Sequence, residues 1–166
     1  MQTNIILIGM PGCGKSTLGV LLAKLLCKDF IDVDLLIQKQ IGMSLQQYID
    51  EKGVNAFLEA EADALCALNC QNTVIATGGS APLTKRGANR LSALGKTVYL
   101  RLSYEEIEKR ITNLATRGIA MEQGETLRDV YNARCPLYES IADLIFSPDA
   151  ANIAETATAL AARLKK

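Results

Sequence analysis

Five short apolar runs alternating with helical patterns predict an α/β fold: three layers, α/β/α, around a five-stranded parallel sheet. The runs are Asn4–Gly9, Phe30–Asp34, Thr73–Thr77, Thr97–Leu102 and Asp143–Ser147. A second observation sharpens the class to the P-loop NTPase type. Gly9-Met10-Pro11-Gly12-Cys13-Gly14-Lys15-Ser16 spells G-x-x-x-x-G-K-S, set between the first strand-like run and a helical stretch. A third is length: 166 residues suffice for one core, so one domain spanning 1–166 is expected.

The first run, Ile5-Ile6-Leu7-Ile8, is apolar throughout, as in a strand buried on both faces. Lys15–Leu26 follows as an amphipathic helix. Phe30–Asp34 reads as the second strand, with Asp32 and Asp34 on one face and Ile31 and Val33 on the other. Helical patterns fall at Ser44–Lys52, Ala56–Leu68, Lys85–Leu94, Tyr104–Thr112, Leu127–Glu139 and Ala151–Leu164. Ser103 precedes one of them, with Glu105 and Glu106 in its first turn, and reads as a helix cap. The segment Asn113–Gly124 has two glycines, Arg117 and little periodicity; a mobile lid over approximately 113–124 is expected there.

Composition excludes several classes. Lys and Arg number 18 and Asp and Glu 18, so net charge is zero and no basic stripe points to nucleic acid. No apolar stretch approaches membrane-spanning length, and Met1–Asn4 lacks the positive region of a signal peptide. The expectation is a cytoplasmic protein, a monomer, with no membrane or nucleic-acid partner. The five cysteines form no C-x-x-C pair and read as reduced thiols. With no histidine in the chain, any general base is a carboxylate, Lys, Tyr or water.

The candidate chemistry gathers where strands end, because ligands of parallel α/β sheets bind at the carboxyl ends of strands. The glycine-rich loop (Gly12, Cys13, Gly14, Lys15, Ser16, Thr17) presents backbone N–H groups and a helix N-terminus to an oligophosphate. Lys15 suits the β/γ-phosphates and Ser16 suits Mg²⁺, so ATP or GTP is the expected ligand. Asp32 and Asp34 suit two tasks: one holds Mg²⁺ through water, the other accepts a hydroxyl proton. Gly78 and Gly79 let backbone approach a ligand. Arg110, Arg117 and Arg134 offer guanidinium groups to anions and to the charge of a transferring phosphoryl group.

These motifs, in this order and at this spacing, resemble the shikimate kinase family along essentially the whole chain. The P-loop alone is common to many NTPases; Asp32-Val33-Asp34 and Arg134-Cys135-Pro136-Leu137-Tyr138 are much more specific. The resemblance implies a five-stranded parallel sheet with a lid, as in nucleoside monophosphate kinases. It implies transfer of the γ-phosphoryl of ATP, with Mg²⁺, to the 3-hydroxyl of shikimate in aromatic amino-acid biosynthesis. It assigns Lys15 and Ser16 to phosphate and Mg²⁺, and Asp32 to a metal water. Asp34 would bind the acceptor hydroxyls and take the proton. Gly78 and Gly79 would contact substrate through backbone, and Arg110 would pack on adenine. Arg117 would stabilise transition-state charge, and Arg134 would hold the substrate carboxylate.

Three departures from the family pattern stand out. F-R-x-x-E is here Phe57-Leu58-Glu59-Ala60-Glu61, so Leu58 replaces an arginine that helps clamp the carboxylate and Glu61 loses the partner it would orient. The third glycine after strand three is Ser80, and the lid's R-P-L-L is Arg117-Gly118-Ile119-Ala120. Losing one charge-assisted hydrogen bond of about 1.5–3 kcal/mol corresponds to roughly 10- to 100-fold weaker carboxylate binding. Glu61 would further repel an anionic substrate. Two alternatives follow: a kinase of a different small hydroxylated metabolite, or a nucleotide-binding regulator without phosphoryl transfer.

Overall fold

A computed structural model of the chain describes residues 3–111, 118–148 and 152–165. Its centre is β1 (Asn4–Ile8), buried at every position. It pairs in parallel with β3 (Thr73–Ala76) on one side and β4 (Gly95–Leu100) on the other. β2 (Asp29–Asp32) extends the sheet beyond β3, and β5 (Leu144–Phe146) beyond β4, both also parallel. The order is β2-β3-β1-β4-β5. The five parallel strands that the alternation predicts are therefore all present, each within two residues of its expected bounds.

Eight helices lie among the described residues: α1 (Lys15–Leu26), α2 (Val33–Ile41), α3 (Leu45–Lys52), α4 (Val54–Ala67), α5 (Lys85–Leu94), α6 (Tyr104–Arg110), α7 (Leu127–Ile141) and α8 (Ile153–Leu164), the last after β5. Helix α1 packs on β1–β3 and on α8, whereas α5 packs on β1 and β4. The core runs through Ile6, Leu7 and Ile8 of β1 to Leu22, Leu65, Val98 and Leu160, all essentially without solvent exposure. Ser44, Ser103 and Thr126 close capping boxes on α3, α6 and α7, so the sequence marks those starts well.

One element differs in kind from its expectation. The second strand stops at Asp32, and Val33 begins α2 instead of continuing the strand. The Asp32 carboxylate accepts from the backbone N–H groups of Asp34 and Leu35, at 3.0 and 3.3 Å. Asp32 is thus an N-cap and Asp34 lies in the first turn of a helix; period-two alternation does not relate them. The signals were present: an Asp cap, apolar Val33, Leu36, Ile37 and Ile41 at helical spacing, and Gly42 closing the helix in left-handed conformation (φ 71°).

The non-catalytic ends of the strands are tied by a buried polar residue. Asn4 Nδ2 donates to the carbonyls of Cys70 and Leu94 at 2.9 and 3.0 Å, and its Oδ1 accepts from the Thr73 N–H at 3.0 Å. One side chain therefore sets the start of β1 against those of β3 and β4. Asn4→Ala strands three backbone groups, one of them buried and each unmade bond costing about 1–3 kcal/mol. The expected outcome is a loss of about 2–4 kcal/mol in urea unfolding, seen as a lower midpoint at unchanged m-value.

Candidate active site

The P-loop leaves β1 at Gly9 and enters α1 at Lys15. Gly14, the N-cap of α1, holds a left-handed backbone (φ 93°) and Gly12 another (φ 81°), which turn successive N–H groups inward. No side chain caps α1, so its N–H groups stay directed at the cleft. Lys15 is buried, and its Nζ donates to the carbonyls of Gly9 (2.8 Å) and Met10 (2.9 Å). A phosphate oxygen competes well for that ammonium, being a charged acceptor where those carbonyls are neutral. Cys13 Sγ lies 3.6 Å from the same Nζ.

Ser16 Oγ donates to Asp32 Oδ2 at 2.6 Å, so the P-loop hydroxyl and the carboxylate that caps α2 meet. Together they are a hard, all-oxygen donor pair. No cluster of three or more His, Cys, Asp or Glu side chains suited to a metal exists among the described residues. A protein site of one or two oxygens fits Mg²⁺, which keeps waters and substrate phosphate oxygens as its other ligands.

The cleft beside the P-loop is lined by Lys15, Ser16, Asp34, Gly78, Gly79 and Arg134, with Phe57, Thr77, Ser80 and Gly118–Ala120 completing the walls. Helix α2 supplies Asp34, the turn after β3 supplies Gly78–Ser80, and α7 supplies Arg134. Gly78 has no room for a side chain: a Cβ there would overlap Glu61 Oε1 and stand 2.8 Å from Asp34 Oδ1. At Gly79 a Cβ would lie 2.6 Å from Pro11 of the P-loop. Both glycines are therefore required by the close approach of the chain's own residues, Glu61 and Asp34 at Gly78 and Pro11 at Gly79. The Tyr138 hydroxyl donates to the Gly79 carbonyl, and the Arg134 guanidinium, 4% exposed, donates to the Ala120 carbonyl. Arg110 lies across the P-loop, its Nη1 3.5 Å from the Gly12 carbonyl and close to Gly14.

A family model described as shikimate kinase matches residues 11–165. The chain belongs to the shikimate kinase family. It is 37% identical over 153 residues to the shikimate kinase of Paracidovorax citrulli, covering 89% of this chain and 84% of that one. A shikimate kinase of Pasteurella multocida is likewise 37% identical, with 89% and 87% covered. Among solved structures, a shikimate kinase from Acinetobacter baumannii in complex with shikimate aligns with a TM-score of 0.92 at 27% identity, over 99% of this chain and 94% of that one. The shikimate kinase of Aquifex aeolicus aligns at 0.84 and 28%, over 98% and 96%.

Against the shikimate kinase pattern, the departures now have places. Leu58 does not line the main cleft. It lines a neighbouring cavity with Val54, Leu83, Val130 and Ala133; Ala120 and Arg134 line both that cavity and the cleft. Glu61, expected to be left without a partner, has one: the hydroxyl of Ser80, the residue standing in place of the third glycine, donates to its Oε2. Glu61 is 1% exposed, and burial, then the neighbouring Asp34 carboxylate, push its pKa up to about 8, against the opposing pull of Ser80, Arg134 and Lys15. Burial and the Asp34 carboxylate thus favour the protonated form of Glu61, which weakens the expected repulsion of anions. Sequence reading gave Ser80 no role; its clue was a serine and a leucine departing from one pattern on either side of one glutamate. Arg117 and the stretch Asn113–Arg117 of the expected lid lie outside the described residues. The adjoining Gly118–Ala120 is fixed on α3: the Gly118 N–H donates to Gln46 Oε1 at 3.2 Å, and Ile119 and Ala120 are buried.

A carboxyl whose pKa is about 8 when folded, against 4.5 as its ordinary value, binds a proton in the folded state at pH values where the unfolded chain has released it. Its contribution to stability is complete below the ordinary value, falls as pH rises towards 8, and is then constant. Glu61→Gln removes that dependence. In urea unfolding across pH 5 to 9, wild type is expected to lose stability relative to Glu61→Gln up to about pH 8 and to run parallel above it. A constant difference across the range contradicts the burial-driven shift.

Proposed function

We propose that this chain transfers the γ-phosphoryl group of ATP to the 3-hydroxyl of shikimate, with Mg²⁺ as cofactor. The observation that carries the reading is one cleft holding both halves of the reaction: the P-loop with Lys15 on one side, Asp34 and Arg134 on the other. Membership of the family supports the activity, and the aligned relative in complex with shikimate supports the acceptor.

Phosphoryl transfer needs positioning and charge stabilisation more than covalent help. Backbone N–H groups of Gly12–Ser16 and the N-terminus of α1 bind the phosphates, and Lys15 reaches the β/γ-oxygens. Ser16, and Asp32 through water, would hold Mg²⁺, which supplies charge neutralisation on those phosphates when bound. Arg110, lying over Gly12 and Gly14, is placed to pack on the nucleotide. Arg134 holds the acceptor carboxylate, while the backbone of Gly78 and Gly79 and the Asp34 carboxylate bind its hydroxyls. Asp34 takes the hydroxyl proton as the bond from that oxygen to the γ-phosphorus forms and the bond to ADP breaks. Arg117 is assigned the developing charge by family pattern, and the segment around it the role of a lid over the phosphates.

The chain is read as one kinase domain, with a small-molecule acceptor and no nucleic-acid or membrane partner, acting as a monomer in the cytoplasm. No described helix is long and apolar enough to cross a membrane. A different acceptor, suggested by Leu58, is not favoured: Leu58 does not line the cleft, and the cleft keeps Arg134. A pure nucleotide binder has no use for a carboxylate at the acceptor side of the loop.

Purified protein with Mg·ATP and shikimate is expected to release ADP and to form shikimate phosphorylated at the 3-position, read by phosphorus NMR. Silence with shikimate but turnover with another polyol would re-address the scaffold. Silence with every acceptor, alongside tight ATP binding, would remove the enzymatic reading. Asp34→Asn is expected to lower kcat by about 10²-fold or more, the scale of a lost general base, while ATP affinity measured by calorimetry holds. Unchanged turnover would take Asp34 out of the reaction.

A further inference from the structure

Glu61, on α4, lies buried against the Gly78–Ser80 turn that lines the acceptor cleft, with its two oxygens in different situations. Oε2 accepts from the Ser80 hydroxyl. Oε1 is buried and has no hydrogen-bond partner among the described residues; it lies against Gly78, beside the point that Asp34 Oδ1 also approaches. The charged groups that face Glu61 are Asp34 from α2, Lys15 from α1 and Arg134 from α7. Helix α5 adds none: Arg86 pairs with Glu59 and Asp63 at the surface, and Arg90 donates to the carbonyls of Leu65 and Leu68. The charges of α3 are Asp50, Glu51 and Lys52, all exposed.

That arrangement holds two carboxyls and two cations, and in the proposed reaction Lys15 is committed to nucleotide phosphate. With Leu58 where the family has an arginine, an arriving carboxylate finds Arg134 as the remaining cation from this set. Two ionised carboxyls and an acceptor carboxylate around one guanidinium leave uncompensated negative charge beside the buried Glu61, an expensive state. One carboxyl must then be neutral. Asp34 has to be ionised to take the hydroxyl proton, which leaves Glu61.

We infer that Glu61, steadied by Ser80, is a specificity-determining residue that replaces the missing arginine by subtraction: an anionic acceptor binds with Glu61 protonated, and its binding is coupled to proton uptake by this side chain. The protonated Oε1 is then a hydrogen-bond donor beside Gly78, at the point that Asp34 Oδ1 also approaches. Removing a negative charge and adding a cation act in the same direction on a carboxylate ligand. The pairing of Ser80 with Leu58 becomes intelligible: the hydroxyl occupies one glutamate oxygen that a guanidinium would otherwise engage. The inference rests on the proposed acceptor, and it is tested with shikimate.

The measurement is the KM for shikimate and kcat, at saturating Mg·ATP, from pH 6.5 to 9.5, in wild type and Glu61→Gln. Turnover at pH 7 checks the acceptor separately; without it, shikimate and this inference fall together. With turnover present, wild-type KM is expected to be level below about pH 8 and to rise about tenfold per unit above it. The slope belongs in KM and not in kcat, and Glu61→Gln should show no such slope. Calorimetry of shikimate binding to the wild-type protein near pH 8.5, in buffers of different ionisation enthalpy, gives a second reading that needs no variant: net uptake of most of one proton per acceptor. A flat wild-type KM, an equal slope in Glu61→Gln, or binding without proton uptake would each overturn the inference.

Discussion

All five strands run the same way, and everything chemical about this protein follows from that constraint. Parallel pairing places every strand C-terminus on one edge of the sheet. Asp32 at the end of β2, Gly9 just past β1 and Thr77–Ser80 just past β3 therefore emerge side by side, although they are far apart in the chain. The central strand carries the most demanding feature. β1 is buried throughout and hydrogen-bonded on both sides, so the P-loop springs from the enclosed centre of the sheet. A loop that must present successive N–H groups to a phosphate gains from such a base, since ordering need not be supplied by the ligand.

The acceptor side follows a different logic. Its groups come from helices and from the turn after β3, and they are held by contacts among themselves: Tyr138 on the Gly79 carbonyl, Arg134 on the Ala120 carbonyl, Ser80 on Glu61. Such a wall can exchange a residue for another provided its charge stays balanced. Leu58 and Ser80 illustrate this. An arginine replaced by leucine would leave a buried anion if nothing else changed; burial and Asp34 instead push the Glu61 pKa up towards the protonated form, and a serine hydroxyl supplies a hydrogen bond. The phosphate side keeps the glycines, Lys15 and Ser16 that its chemistry demands, because backbone geometry there has few substitutes.

Hydrophobic run length and glycine position sufficed for the sheet and for α1, α5 and the P-loop, since those signals are local. α2 was hidden because Val33 and Asp34 fit an alternating strand as well as a helical first turn; only the carboxylate of Asp32 folding back on the N–H groups of Asp34 and Leu35 decides between them. The site was legible as a list of residues from two sides of one cleft: Lys15, Ser16, Asp34, Gly78, Gly79 and Arg134 do line it. Glu61 was legible only as an absence of its arginine.

The sequence by itself determined the fold class, the phosphate loop and the family, because periodicity and motif spacing are properties of neighbouring residues. Tertiary structure alone decided that Leu58 lines a cavity beside the cleft and not the cleft itself, that Ser80 hydrogen-bonds Glu61, and that burial pushes the Glu61 carboxyl towards its protonated form. Those facts concern protonation and contact across α4, the turn after β3 and α7. A carboxyl's charge depends on what surrounds it in space, and nothing in its chain neighbours reports how much water the fold will leave it.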